Sequence, residues 1–378
     1  KMKNFRINQL GIQMIPEFLH RKLFAKKLPV SINNSRKNMI IDQLKKSIQN
    51  IEFKIDNTSS PIVTKNPWRE LIAYLPEITN NDVITHINSL GRRYSEPYLK
   101  KIEKLLQIPD NLLTNTPKNW SFNHGWTRYE LVNDSVNTCY KSEPVEHPLE
   151  DALVFDVEVS LDKNNYNRPT LAVALSPNAW YSWCSDALIS ISHDQITNDF
   201  NFSSKITIDD LIPMGTFANT ERLIVGHNVS FDRSFIQEQY KIDLDQTRFL
   251  DTMSLHICVS GLNQEQKIFA IRNGNPWETI SSLNNLNDVY KLDCQSKVGI
   301  SKDPRDVFIK GTMIDVVENF SYLTDYCATD VVVTLQILKS LFPQFIDRFP
   351  SPITLAGMLE MSVMYLPANQ NTWKRYLD

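Results

Sequence analysis

The chain has 378 residues, 42% hydrophobic and 10% aromatic, enough for about two to three packed domains. Forty Lys or Arg stand against 43 Asp or Glu, a formal net charge of −3, which excludes a cationic field over the whole chain. The roughly 18 to 20 consecutive apolar residues of a membrane span do not occur, nor does a short apolar run behind a basic start, so neither membrane residence nor secretion is expected.

Charge is unevenly spread along the chain. Residues 1–50 hold eleven Lys or Arg against Glu17 and Asp42. A basic arm beside an acidic body suits a phosphate-rich partner, and equally an ordinary solvated face. Five cysteines (Cys139, Cys184, Cys258, Cys294, Cys327) are widely spaced with no Cys-x-x-Cys, which favours a reducing compartment and no zinc framework. The start at Lys1 and the end at Asp378, with no obvious terminating signal, lead us to expect a piece of something longer.

Over residues 12–55 apolar residues recur at three- and four-residue spacing, predicting short amphipathic helices broken by Pro29 and the polar run 31–35. Further helices are predicted around 68–74, 82–90 and 98–106, with Pro109 and Pro117 closing the set. Residues 1–145 are therefore expected to form a mainly helical region. A linker-like stretch, 143–148, precedes a change of pattern. Strands are predicted at 153–159, 170–175 and 179–183, then at 222–228, which runs into a turn, and around 248–252. Between the last two, Ser230 is expected to cap a helix carrying Phe231, Phe235, Ile236 and Tyr240, with Asp232 in its first turn. Residues 261–306 read as a polar insertion of partial order, with one helix around Leu283, Leu286, Val289 and Tyr290. Residues 316–341 regain a helical stripe of Phe320, Leu323, Cys327, Val331, Leu335 and Leu338. Strands alternating with helices predict an α/β fold with a mixed sheet.

Alternation on the 153–159 strand puts Leu153, Phe155, Val157 and Val159 on one face and Asp156 with Glu158 on the other. Such a pair is either a site for a shared divalent ion, which relieves the mutual repulsion, or the solvated face of an edge strand. Asp232 is open to the same two readings, as a ligand or as a helix-start anion. Tyr326 and Asp330 are four residues apart and share a helix face. Their order along the chain is Asp-x-Glu, then Gly-His-Asn-x-x-x-Asp, then Tyr-x-x-x-Asp. Together they supply four carboxylates and a phenol, enough for two divalent ions with water sites left open. His227 and His256 are not expected as ligands, because hard oxygen donors suit magnesium better than imidazole does. Trp120, Trp126, Trp180, Trp183 and Tyr181 are expected to serve mainly in core packing.

Phe155-Asp156-Val157-Glu158-Val159, Val225-Gly226-His227-Asn228-Val229-Ser230-Phe231-Asp232-Arg233 and Tyr326-Cys327-Ala328-Thr329-Asp330 resemble the three motifs of the DEDD exonuclease superfamily, tyrosine branch. More narrowly, the chain resembles the proofreading exonuclease of the polymerase gamma family of mitochondrial DNA polymerases. The runs 179–184, 249–254, 310–313, 354–361 and 7–14 also look like that family, so the resemblance extends from end to end and is weakest in the polar insertion. It implies a ribonuclease H-like exonuclease domain over 146–350, a mixed sheet flanked by helices. Residues 351–378 are then the start of a linker to an absent polymerase domain, whose metal-binding aspartates have no counterpart here.

The resemblance further implies two-metal hydrolysis of a 3′-terminal phosphodiester, releasing a deoxynucleoside monophosphate. Asp156, Glu158 and Asp330 would hold one magnesium ion, and Asp156 with Asp232 the second, with manganese able to substitute. Tyr326 would orient the attacking water, and Asn228 and Phe231 would touch the terminal nucleotide. The implied partners are DNA, as the single-stranded 3′ end of a primer-template, and the missing polymerase domain. The implied location is the mitochondrial matrix, and no accessory subunit is assigned. Two alternatives stay open on the residues: an RNA-trimming exonuclease with the same carboxylates, and a silent binding module on the exonuclease fold.

Overall fold

The computed structural model describes residues 83–133, 138–161, 167–193, 206–215, 221–240, 246–262, 264–273, 281–297, 299 and 303–364. The basic arm, the helices expected over 12–74 and the run 7–14 lie outside the described residues. The described residues from 84 on fall in one compact unit, which holds the sheet.

Seven strands form that sheet: β1 (Gly125–Asn133), β2 (Thr138–Val145), β3 (Ala152–Leu161), β4 (Asn167–Leu175), β5 (Ala179–Cys184), β6 (Arg222–Gly226) and β7 (Thr247–Asp251). Their order is β2-β1-β5-β4-β3-β6-β7. The β3–β6 and β6–β7 pairs are parallel and the rest antiparallel, so the sheet is mixed, as expected. β5 is buried at every position and β4 at all but its first, as in strands covered on both faces.

One face packs against the long helix Phe320–Arg348, whose expected stripe from Leu323 to Leu338 is buried together with Val154, Val173, Trp180 and Val225. The other face buries Leu153, Phe155, Val157, Tyr181 and Phe249 against Val229, Phe235 and Ile236. Four tryptophans, Trp120, Trp126, Trp180 and Trp183, lie in these cores as anticipated.

In order along the chain, the helices are α1 (Val83–Leu106), α2 (Asp110–Thr114), α3 (Asp186–His193), α4 (Val229–Arg233), α5 (Thr252–Val259), α6 (Gln264–Asn273), α7 (Leu286–Asp293), α8 (Asp303–Lys310), α9 (Met313–Glu318), α10 (Phe320–Arg348) and α11 (Pro352–Met361). Four expectations need correction. The region expected to be mainly helical up to 145 contains β1 and β2, and β1 pairs directly with β5, so the sheet begins before residue 146. Trp126 faces one core and Tyr129 the other, so β1 is covered on both sides and lacks a clean polar–apolar alternation.

Ser230 is not the cap of its helix. α4 starts at Val229, behind Asn228 in the left-handed region (φ 61°, ψ 41°), and ends at Arg233. The continuation expected through Tyr240 is broken because Phe235 and Gln237 exchange backbone hydrogen bonds with Ile212 (2.8 and 2.9 Å), leaving only a 3-10 turn at Gln237–Tyr240. The polar insertion carries three helices among its described residues, α6, α7 and α8, of which only α7 was expected. The stretch expected to open a linker folds as α11, which packs against β7 and buries Leu355, Ala356 and Leu359. Residues 365–378 lie outside the described residues.

Candidate metal centre

β3 presents Ala152 and Val154 to the α10 side and then, two and four residues on, Asp156 and Glu158. The apolar part of that face is covered by α10, and the acidic part meets the turn of α10 that carries Tyr326, Cys327 and Asp330. A register shift between Glu158 and Val159 interrupts pairing with β4 at this point, a device that re-aims side chains beside functional sites.

Asp232 arrives from the other direction. β6 pairs with β3 over Ala152–Val154, so among the described residues the backbone of β3 beyond this point has no strand partner on that edge. The chain turns at Gly226–Asn228 into α4, and Asp232 Oδ1 accepts the Val157 backbone N–H at 3.3 Å, filling the place a neighbouring strand would take. The turn is held by Asp251, at the end of β7. Its Oδ1 accepts from the backbone N–H of Asn228 (2.7 Å) and of Met253 (3.1 Å), and its Oδ2 accepts from the Ser254 hydroxyl (2.7 Å).

Glu158 feels the negative charge of Asp156, Asp330 and Asp232, so the structure brings the four predicted carboxylates together. Donor atoms of Asp156, Glu158 and Cys327 lie within 4.8 Å of one another. The Cys327 thiol donates to Asp156 Oδ2 at 3.3 Å, a contact the sequence reading did not anticipate.

The electrostatics follow from burying like charges. Burial pushes Asp156 up to about 6, against the opposing pull of the Cys327 hydrogen bond. Asp330 rises to about 8 through burial and then repulsion from Asp156. Glu158 and Asp232 are each held well above the usual carboxylate range, first by burial and then by Asp156. Tyr326 is pushed far above an ordinary phenol by burial and by Asp330, so it stays protonated near neutral pH.

Among the described residues, Asp330 Oδ1 is buried with no hydrogen-bond partner. A buried carboxylate oxygen without a partner, inside a cluster of mutually repelling acids, is costly unless a cation is shared. The carboxylate donors are hard oxygens, the set that divalent magnesium or manganese takes, while the Cys327 thiol is engaged with Asp156 and held protonated by burial. These residues fit such ions.

The remaining sequence candidates sort clearly. Asn228 borders a cavity of about 480 Å³, lined also by Met253, Lys267, Asn284 and Leu286. Phe231 is half-buried and packs edge-on against Phe235, ring centroids 5.2 Å apart. His227 spends both ring nitrogens, on Thr252 Oγ1 (2.9 Å) and the Asn284 carbonyl (3.0 Å), while buried His256 pairs with Asp293 at 3.0 Å. Both histidines serve the structure rather than the acidic cluster. Asp251 and Cys327 are the site residues missed from sequence. Asp251 had a signal in its place at a strand end, whereas Cys327 stands in the apolar stripe of α10, where its position reads as packing.

A family model described as the DNA mitochondrial polymerase exonuclease domain matches residues 70–274 and 269–345. Among curated proteins, the chain is 37% identical to DNA polymerase subunit gamma-1 of Xenopus laevis, covering 99% of this chain and 31% of that protein. It is 38% identical to the mitochondrial DNA polymerase subunit gamma-1 of Drosophila melanogaster, over 98% of this chain and 31% of the relative. It is 31% identical to DNA polymerase gamma of Saccharomyces cerevisiae, over 99% of this chain and 28% of the relative. The chain thus spans under a third of the length of these relatives.

Proposed function

Because the chain belongs to the mitochondrial DNA polymerase exonuclease domain family, we propose that it is the 3′-5′ proofreading exonuclease portion of a mitochondrial replicative DNA polymerase. The observation that carries this reading is the convergence of Asp156 and Glu158 from β3, Asp232 from α4 and Asp330 from α10, with Asp330 Oδ1 buried and unpartnered. Asp156, Glu158 and Asp330 would hold one divalent ion, and Asp156 with Asp232 a second. Bound there, such ions supply an activated water and neutralise charge gathering on the phosphoryl oxygens.

The chain's own groups do the rest. Tyr326 stays a neutral phenol, so its hydroxyl orients the attacking water and does not act as the base. Asn228 and Phe231 contact the terminal nucleotide. Water replaces the 3′ oxygen of the penultimate nucleotide at the phosphorus, so the bond to that oxygen breaks and a nucleoside 5′-monophosphate leaves behind a new 3′ hydroxyl. A mispaired end frays more readily and is the preferred substrate, since less unpairing energy must be supplied. DNA is the proposed partner, together with a polymerase domain of the parent protein, and the mitochondrial matrix the proposed location.

The test is incubation of the chain with 5′-labelled single-stranded DNA, or the matching RNA, in magnesium. Stepwise shortening of DNA from the 3′ end is expected, faster than of RNA, with loss of cleavage in the Asp156→Ala, Glu158→Ala variant. Faster RNA trimming would favour the RNA alternative, and binding of both nucleic acids without cleavage of either would favour the silent module.

A further inference from the structure

The four carboxylates of the metal centre repel a phosphodiester backbone, so a strand led past them needs positive charge fixed nearby. One cation is placed for this by an element that carries no motif residue. α8, at the end of the polar insertion, packs against β3. Pro304 and Phe308, four residues apart on one face, are both buried, Phe308 being 2% exposed and in one core with Val154 of β3, with Val307 packed on it. Arg305 follows Pro304 around the helix and is exposed. Its neighbours Asp306 and Lys310 pair with each other at 2.7 Å, and Arg305 forms no ion pair among the described residues. Its charge nonetheless reaches the site, pulling down the pKa of both Glu158 and Asp330.

Building on the proposed cleavage of a single DNA strand at this site, we propose that Arg305 binds a backbone phosphate of that strand, with α8 serving as a rigid mount for the guanidinium. A guanidinium suits this role because it is planar, permanently charged, and presents paired donors that match two phosphate oxygens. Its exposure keeps it available to the strand, and the burial of Pro304 and Phe308 anchors its helix beside β3, which carries Glu158. The competing role is that of a counter-charge to the carboxylates alone. The two roles predict opposite results when the cation is removed.

The experiment compares the chain with its Arg305→Ala and Arg305→Lys variants. Binding of a fluorescent oligothymidylate is followed by anisotropy in calcium over a salt series, and manganese binding without DNA by electron paramagnetic resonance. A phosphate contact predicts that Arg305→Ala weakens oligothymidylate binding about tenfold and lowers the slope of log affinity against log salt by about 0.7, the share of one single-strand phosphate. Arg305→Lys should keep the slope and recover part of the affinity, and in cleavage Arg305→Ala should raise KM more than it lowers kcat. An unchanged slope in Arg305→Ala with tightened manganese binding would overturn the proposal in favour of the counter-charge role. If the unaltered chain neither binds nor shortens oligothymidylate, the exonuclease reading itself falls and the Arg305 proposal with it. Cleavage retained with Arg305→Ala indistinguishable from the parent sinks only the latter.

Discussion

Asp330 and Tyr326 sit one turn apart on α10 yet should fail in different ways when altered. Asp330 contributes a buried carboxylate with one oxygen unpartnered, in the repulsive field of Asp156. Asp330→Ala removes a proposed metal donor, and manganese affinity and cleavage rate are expected to collapse together. Tyr326→Phe keeps the ring and every carboxylate and loses only the hydroxyl proposed to aim the water. Positioning and proton-transfer contributions of a single group run at about 10²- to 10⁴-fold. Single-turnover cleavage by Tyr326→Phe should therefore be slowed within that range while manganese affinity is retained, and loss of metal binding as severe as in Asp330→Ala would refute the division of roles. Strand and helix periods pair Asp156 with Glu158 and Tyr326 with Asp330, whereas Asp232 and the proposed roles of all five rest on the motif resemblance. Cys327 was not legible as a site residue, since it lies in the buried stripe of α10 and its position alone reads as packing. That its thiol also touches Asp156 depends on how closely α10 approaches β3, which no local pattern encodes.

The turn between β6 and α4 is an element with little room for change. A Cβ on Gly226 would stand 2.8 Å from Val229 Cγ2 and 3.3 Å from the Phe155 carbonyl oxygen. Gly226→Ala must push α4 away from β3, and overpacking of this kind costs about 1–3 kcal/mol. Since Asp232 rides on α4, the expected outcome is a lower melting temperature together with weaker manganese binding. The Gly226→Ala, Val229→Ala double variant removes the closest contact and should regain part of both. Calorimetry and a metal titration on the two variants check this, and a Gly226→Ala protein unchanged in both would show that the turn has slack. Sequence pattern located this element but misjudged its extent. Ser230 had the chemistry of a cap, yet Asn228 takes the entry position because its backbone N–H is held by Asp251, from a different strand. β1 was missed for a related reason: Trp126 and Tyr129 serve opposite cores, so its two faces look alike to a period-two reading. α11 escaped because only its packing on β7 makes it part of the fold, including the ion pair of Glu360 with Arg248 at 3.0 Å.

At the scale of the whole molecule, the metal centre couples stability to pH. In the unfolded chain aspartates titrate near 3.9. In the native protein without metal, burial holds Asp156 up to about 6 and Asp330 up to about 8, with Glu158 and Asp232 also raised. Between those limits the native state binds more protons than the unfolded one, so stability falls as pH rises. The stabilising contribution of the protonated acids is complete below about pH 4 and is lost progressively as pH passes through about 6 and 8. Carboxylates of the opposite kind, such as Asp151 held down by Lys101 and Lys104 against the cost of its burial, titrate below the unfolded value and contribute no slope from pH 6 to 8. Within the window His227 opposes the cluster. Burial holds its imidazole below the ordinary value, so its unfolded form, titrating near about 6.5, adds a slope of the other sign. It is one group against four raised carboxylates, and the Asp330→Asn comparison leaves it unchanged. In EDTA, the melting temperature is expected to be lower at pH 8 than at pH 6. A divalent ion binds the ionised native cluster and not the dispersed unfolded chain, so magnesium should raise the melting temperature at both pH values and by more at pH 8. Asp330→Asn replaces a titrating, repelling acid by a neutral amide of similar shape, so it should flatten the pH dependence in EDTA and shrink the response to magnesium. Differential scanning fluorimetry across pH 6 to 8, with and without magnesium, reads all three effects on one plate. A melting temperature in EDTA that rises over this range, or an Asp330→Asn protein with the parent's slope, would mean that the four carboxylates do not share one repulsive, cation-seeking site.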